Sequence, residues 1–164
     1  MTLTVSAVIA TYNRGPELRI ALTRLMAQTA PPMEIIVIDD GSSDGTGAMM
    51  RAEFPTVRYI RQPHNGGLIL ARNFGFVNTT GDCILSVDDD SWFEEPDGLA
   101  RCVAHLEQNP DVAAVACNIE TRDGLVYFPK AAAPFEMPWY VGCGHLLRRS
   151  AVERVGLYMP ELYR

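Results

Sequence analysis

Apolar positions in this chain alternate between short continuous runs and helical stripes. The first run, over 4–10, closes on polar Thr11, Tyr12 and Asn13. A run of that length and boundary predicts a strand covered on both faces. Gly15 and Pro16 suit the start of a helix, and Leu18, Ala21, Leu22, Leu25 and Met26 then recur at the spacing of one buried face. Ala30, Pro31 and Pro32 stop it. Residues 34–38 predict a second buried strand ending at Asp39 and Asp40, before turn-rich Gly41, Ser42, Ser43, Asp44 and Gly45. A short helix over 46–53 and a strand over 57–61 come next. Asn65, Gly66 and Gly67 open a helix whose apolar face is read as Leu68, Ala71, Phe74 and Val77. A strand over 83–87, a helix over 96–107 through Leu99, Cys102, Val103 and Leu106, and a strand over 112–117 follow. Beyond Asn118 the pattern predicts a short strand over 125–128, a Pro- and Ala-rich connection over 131–138, a return to the sheet over 141–147 and a helix over 150–155.

This βαβαβαβ order calls for an α/β fold, a Rossmann-like, mostly parallel sheet with helices on both faces. Ligands of such sheets bind beyond the carboxyl ends of the strands, near the point where strand order reverses. The polar clusters of the chain fall at that edge: Thr11 to Arg14 after the first strand, Asp39 and Asp40 after the second, and Asp88, Asp89 and Asp90 after the fourth. Three adjacent carboxylates repel one another and raise one another's pKa, so a hard divalent cation is a natural partner. Taken alone, the segment fits equally well a solvated acidic loop that caps the next helix, with Ser91 and Pro96 as start signals.

Composition narrows the choices. With 164 residues and 48% hydrophobic content, the chain is sized for one domain with a substantial core. A formal charge of -6 argues against a nucleic-acid partner, which requires a basic stripe. The N-terminus has no signal-peptide pattern and no apolar run approaches the roughly 20 residues of a membrane span, which predicts a cytoplasmic protein. Cys83, Cys102, Cys117 and Cys143 are widely spaced and read as reduced core or near-core thiols.

Val8 to Arg14, Ile36 to Thr46, Asn65-Gly66-Gly67 with Ala71-Arg72-Asn73, and Val87 to Ser91 together resemble family 2 glycosyltransferases of the GT-A fold, in order and in spacing, over residues 4 to about 160. The resemblance implies transfer of a sugar from a nucleotide sugar, a UDP- or dTDP-sugar, to a saccharide, lipid-linked or other acceptor. Inversion at the anomeric carbon and Mn²⁺ or Mg²⁺ as cofactor come with it. A carboxylate-held metal would stabilise charge on the departing diphosphate. By the same resemblance Asp90 is the direct metal ligand, Asp88 reaches the ribose or the metal's water shell, and Asp89 lies near the sugar. Asp40 accepts the ring N–H of a uracil or thymine base, with Thr11, Tyr12 and Asn13 packed around it.

Glu17 is a further nucleotide-pocket candidate, although a first-turn acid also suits the helix dipole. Arg72 is a candidate to offset the diphosphate charge, against the alternative of a solvated helix flank. His145 reads as structural. Trp139 and Tyr140 are read as core aromatics before a sugar-stacking surface. The 39–45 loop lacks the regular ligand spacing of a calcium loop.

Inverting transfer needs a base. Relatives supply it from an acid pair after the helix matched by 150–155, which places the expected base a few residues past Arg164; Glu161 matches only the lead-in. The expectation is a truncated catalytic domain, with a nucleotide-sugar-binding part over about 1–95 and a partial acceptor part over about 96–164. Its setting is the cytoplasm, at the inner face of a membrane where association is peripheral. A non-catalytic nucleotide- or metal-binding module is the alternative. A sugar nucleotidyltransferase is disfavoured by the lack of a Gly-rich, basic triphosphate loop after the first strand.

Overall fold

Alternation along each strand builds two cores, one on each face of a single sheet. The computed structural model describes residues 2–126, 134–137, 140 and 142–162. Its strands are β1 (Val5–Thr11), β2 (Glu34–Asp39), β3 (Arg58–Arg61), β4 (Cys83–Val87), β5 (Ala114–Ala116) and β6 (Gly144–Arg148), and its helices are α1 (Gly15–Met26), α2 (Thr46–Glu53), α3 (Leu68–Val77), α4 (Gly98–Gln108) and α5 (Arg149–Val155). The sheet order is β3-β2-β1-β4-β6-β5. The first four strands are parallel, while β6 runs antiparallel to both β4 and β5.

Successive strand residues point to opposite faces. Ala7, Ile9, Val37 and Leu85 pack against Leu18 and Leu22 of α1, Met50 of α2, and Leu99 and Leu106 of α4. On the other face, Val8 and Ile84 meet Phe76 of α3 and Val152 of α5, and Ala10, Ile36 and Ile38 meet Ala71. Each fully buried Ile or Leu of this set contributes about 2 kcal/mol. Strand order reverses between β1 and β4, so their carboxyl ends frame the crevice that this topology provides for ligands. Among the described residues no helix is long and apolar enough to cross a membrane.

Two helix faces differ from the periodicity reading. Met26, at the end of α1, is 42% exposed. In α3 only Ala71 of the expected face is buried; Leu68, Phe74 and Val77 are exposed, and the helix instead turns Ile69, Arg72, Gly75 and Phe76 inward. The cause is close approach. A Cβ at Gly75 would lie 2.3 Å from Val8 Cγ1 and 3.3 Å from Ile38 Cγ1, so α3 sits on β1 and β2 through its only residue lacking a side chain at that height. We expect Gly75→Ala to lower the unfolding free energy by about 2 kcal/mol through overpacking. A lower urea midpoint at unchanged slope reads this out; wild-type stability would show that α3 can lift off the sheet at no cost.

The late strands are shorter than expected. Residues 112–117 contribute only Ala114–Ala116. Of 125–128, the described part forms an isolated bridge, Glu120 to Val126, with 127–128 outside the described residues. Of the return to the sheet expected over 141–147, the strand comprises Gly144–Arg148, inserted between β4 and β5, with residue 141 outside the described residues.

Candidate functional site

The rim is assembled from chain turns that hold one another. Asn13, just past β1, has φ 53, the left-handed conformation that Asn tolerates. Its backbone N–H donates to Ser42 Oγ at 2.8 Å and its Oδ1 accepts from the Ser43 N–H at 2.7 Å. Asp39, wholly buried at the end of β2, accepts from the Ser42 N–H at 2.7 Å and from the Tyr59 hydroxyl. Burial, together with that carboxylate, pushes the Tyr59 phenol far above its usual range. Asp40 ties the second rim loop: Oδ1 accepts from the Gly66 N–H at 2.9 Å and Oδ2 from the Gly67 N–H at 2.8 Å, fixing the turn into α3. Gly67 has φ +96, which a side chain would strain.

Between these loops and the end of β4 lies a cavity of about 390 Å³. One wall comes from Ala10, Thr11, Tyr12 and Arg14, another from Asp40, Asn65, Gly67, Leu68 and Ala71, and the end from Asp88, Asp89 and Asp90. The structure thus gathers Thr11, Tyr12, Asp40 and the three acids on one surface. Asn13 and Glu17 are not among its lining residues; Asn13 instead holds the 42–43 turn. Nor is Arg72. It is buried in α3, donating Nη2 to Asp88 and, at 3.2 Å, to the Gly142 carbonyl. The alternative of a solvated flank is corrected: a charge can face inward here because Asp88 and a backbone carbonyl receive it.

The acids are compensated from two sides. Arg14 Nη2 donates to Asp90 Oδ2 at 2.7 Å and its Nη1 lies 3.5 Å from Asp89 Oδ1. Thr11 Oγ1 donates to Asp89 Oδ2 at 2.7 Å. Burial nonetheless holds the Asp88 carboxyl above its ordinary range, with Arg72 pulling it back, and does the same to Asp89 against the Thr11 hydrogen bond and Arg14. Arg14, Asn65, Gly67 and Leu68 also line the cavity, although their place in the sequence marks them only as rim, helix-entry and apolar-face positions. The usable signal for Arg14 was its place after β1, the strand that lies beside β4 at the switch point.

Among the described residues no three His, Cys, Asp or Glu side chains converge as a self-sufficient metal cage. The donor set still suits Mg²⁺ or Mn²⁺: hard oxygens of Asp88 and Asp90 face the cavity, the Asp90 side chain is 41% exposed, and such ions need only one or two carboxylates when phosphates complete the shell.

His145, 1% exposed on β6, shares a hydrogen bond between Nε2 and the Tyr158 hydroxyl at 2.5 Å, and the Tyr140 ring packs at 5.0 Å. Trp139 lies outside the described residues. Cys102 and Cys117 face each other with Sγ atoms 3.8 Å apart, unbridged.

Residues 6–156 match the family described as Glycosyl transferase family 2. The chain belongs to glycosyl transferase family 2. This family member is 30% identical over 171 residues to the uncharacterized glycosyltransferase YwdF of Bacillus subtilis, covering 97% of this chain and 63% of YwdF. It is 36% identical over 129 residues to the glycosyltransferase GlyA of Streptococcus pneumoniae, covering 76% of this chain and 18% of GlyA. The chain therefore spans less than two thirds of the length of these relatives. Its fold is that of the mannosyltransferase PcManGT from Pyrobaculum calidifontis, solved with GDP-Man and Mn2+, at a TM-score of 0.79 and 22% identity, covering 97% of this chain and 48% of that one. TarS 1-349 of S. aureus in complex with UDP-GlcNAc matches at 0.75 and 18%, covering 96% and 49%. These likenesses establish the GT-A fold expected from the sequence.

Proposed function

We propose that this family 2 chain holds the donor of a glycosyltransferase, an enzyme moving a sugar from a nucleotide sugar to a saccharide, lipid-linked or other acceptor with inversion. The observation that carries the reading is the cavity at the β1/β4 seam, where Asp40 stands at one end and Asp88, Asp89 and Asp90 at the other.

Tyr12 and Leu68, both partly exposed on this cavity, flank a base with apolar surface. Asp40 has one lone pair per oxygen left after its two backbone bonds, enough to accept a ring N–H. Uracil, thymine and guanine all carry such a group, so the base is read here only as one with a ring N–H. Asp88 is assigned to the ribose or to a metal's water shell, Asp90 to direct coordination of Mn²⁺ or Mg²⁺, and Asp89 to the sugar side of the cavity. A bound divalent ion would supply Lewis-acid neutralisation of the leaving diphosphate. No described carboxylate is assigned as the base for the acceptor hydroxyl. The division into a donor part over about 1–95 and an acceptor part over about 96–164, and action at the cytoplasmic face of a membrane, belong to the same proposal.

The test is a thermal-shift titration with UDP, dTDP and GDP, each with and without Mn²⁺. At about 100 times its Kd a ligand adds roughly 2.7 kcal/mol of stability. We expect that shift for at least one nucleotide with Mn²⁺ and its loss in Asp90→Asn. Absence of any metal-dependent shift, or full retention in Asp90→Asn, overturns the assignment.

A further inference from the structure

We propose that Arg14 is the resident counter-ion of the acidic cluster: in the ligand-free protein it holds the position that the divalent ion takes on donor binding, and it then transfers from Asp90 to the diphosphate. This rests on the donor-site reading above and concerns how that site is loaded.

The two guanidinium groups at the cluster are held very differently. The Arg72 side chain is 5% exposed and is tied both to Asp88 and to the Gly142 carbonyl. The Arg14 side chain is 44% exposed, lines the cavity, and meets the last two acids of the cluster, Asp90 at 2.7 Å and Asp89 at 3.5 Å. Its backbone, by contrast, is fixed. Asn13 is pinned to the 42–43 turn, the Arg14 carbonyl accepts from the Leu18 N–H at 3.0 Å, and the Gly15 N–H donates to Asp44 Oδ2 at 3.3 Å. A long side chain on an anchored backbone can change partner by rotation alone, at no cost in loop rearrangement. Arg72 is therefore the permanent partner and Arg14 the exchangeable one.

Charge decides when the exchange occurs. Three carboxylates against two guanidinium groups leave the cluster with one formal negative charge. A divalent ion arriving alone must compete with a guanidinium already bonded to Asp90. A diphosphate brings further negative charge and offers Arg14 oxygens in the planar geometry it binds best. Arg14 thereby makes metal uptake conditional on the nucleotide, which disfavours a site filled by metal without donor.

Free Mn²⁺ measured by electron paramagnetic resonance in the wild type, Arg14→Gln and Arg14→Lys, with and without UDP or GDP, tests this. Without nucleotide, Arg14→Gln should bind Mn²⁺ more tightly than the wild type by up to about fivefold, the upper end of what one partly exposed ion pair is worth. The gain in Mn²⁺ affinity on adding nucleotide should shrink by a similar factor, because the competition for Asp90 that nucleotide relieves is already gone, and by reciprocity the Mn²⁺-dependent gain in nucleotide affinity should shrink equally. Arg14→Lys, which keeps the charge, should stay near the wild type without nucleotide. Equal or weaker Mn²⁺ binding in Arg14→Gln without nucleotide overturns the exchange, even if the wild type takes Mn²⁺ normally with nucleotide. Failure of the wild type to take Mn²⁺ with either nucleotide overturns the donor-site reading itself, and the two failures are separate measurements.

Discussion

Arg72→Met should lower the unfolding free energy at neutral pH by about 3–5 kcal/mol, the cost of leaving a buried charge without its partner. Methionine fills much of the same volume, so the loss is electrostatic rather than a cavity effect. Asp88 would remain at the end of β4, largely buried, beside Asp89 and Asp90 and without the guanidinium that now receives it. The sign with pH is fixed by the direction of the Asp88 shift. Its folded pKa already lies above the unfolded value of 3.8, because burial outweighs Arg72, and it rises further when Arg72 is removed. A carboxyl raised on folding favours the folded state while protonated and opposes it once ionised. The deficit should therefore be greatest at neutral pH and shrink on acidification toward the unfolded pKa. The double variant Arg72→Met, Asp88→Asn should recover most of the loss. Urea unfolding of the two variants at neutral and acidic pH measures this; a deficit in Arg72→Met under about 1 kcal/mol would show that Asp88 finds solvent without its partner.

The second large effect is a loss of stability on mild acidification that traces to His145. Burial, with the positive charge of Arg72, holds its imidazole down to about 4, against an ordinary value of 6.5. Between those values the unfolded chain binds a proton that the folded protein refuses, so stability falls as pH falls through the window, by up to about 1.4 kcal/mol per pH unit and about 3 kcal/mol in all. Asp88 and Asp89, with carboxyls raised on folding, act in the opposite sense, chiefly nearer the carboxylate range. His145→Gln separates the contributions: it keeps a polar group opposite the Tyr158 hydroxyl and does not titrate. Its stability relative to the wild type should improve steadily from pH 6.5 to pH 4. Parallel pH profiles for the two proteins would show that His145 is already protonated in the folded state.

The elements were legible because strands β1, β2 and β4 are continuous apolar runs closed by polar groups, which leaves little choice of period. Leu18, Leu22, Leu99 and Leu106 were legible as core for a related reason: α1 and α4 are strongly two-faced. The helix Leu-Ile-Leu-Ala-Arg-Asn-Phe-Gly-Phe-Val was not, since it is apolar nearly all round and the inward face is chosen by Gly75 meeting Val8, a tertiary contact. On the same helix, only the solvated-flank alternative for Arg72 fails, because its burial depends on Asp88 sixteen positions away. An apolar run also carries no direction, so 144–148 was visible as sheet but not as a strand reversed against β4. Of the candidate residues, the structure brings Thr11, Tyr12, Asp40, Asp88, Asp89 and Asp90 to one cavity, whereas Asn13, Glu17 and Arg72 stand outside its lining. Arg14 went unassigned because its partners become apparent only when β1 and β4 are neighbours.

That neighbourhood has a further consequence. Val5 pairs with Cys83, so the seam closes between segments almost eighty positions apart, and ring closure of that length carries an entropic cost before any local contact can offset it. No nascent fragment ending short of β4 can present the acids opposite Thr11. If the cavity takes the proposed donor, its occupancy would report that β1, β2, α3 and β4 are all in place, and a bound nucleotide would slow unfolding of that unit rather than merely quieten a loop.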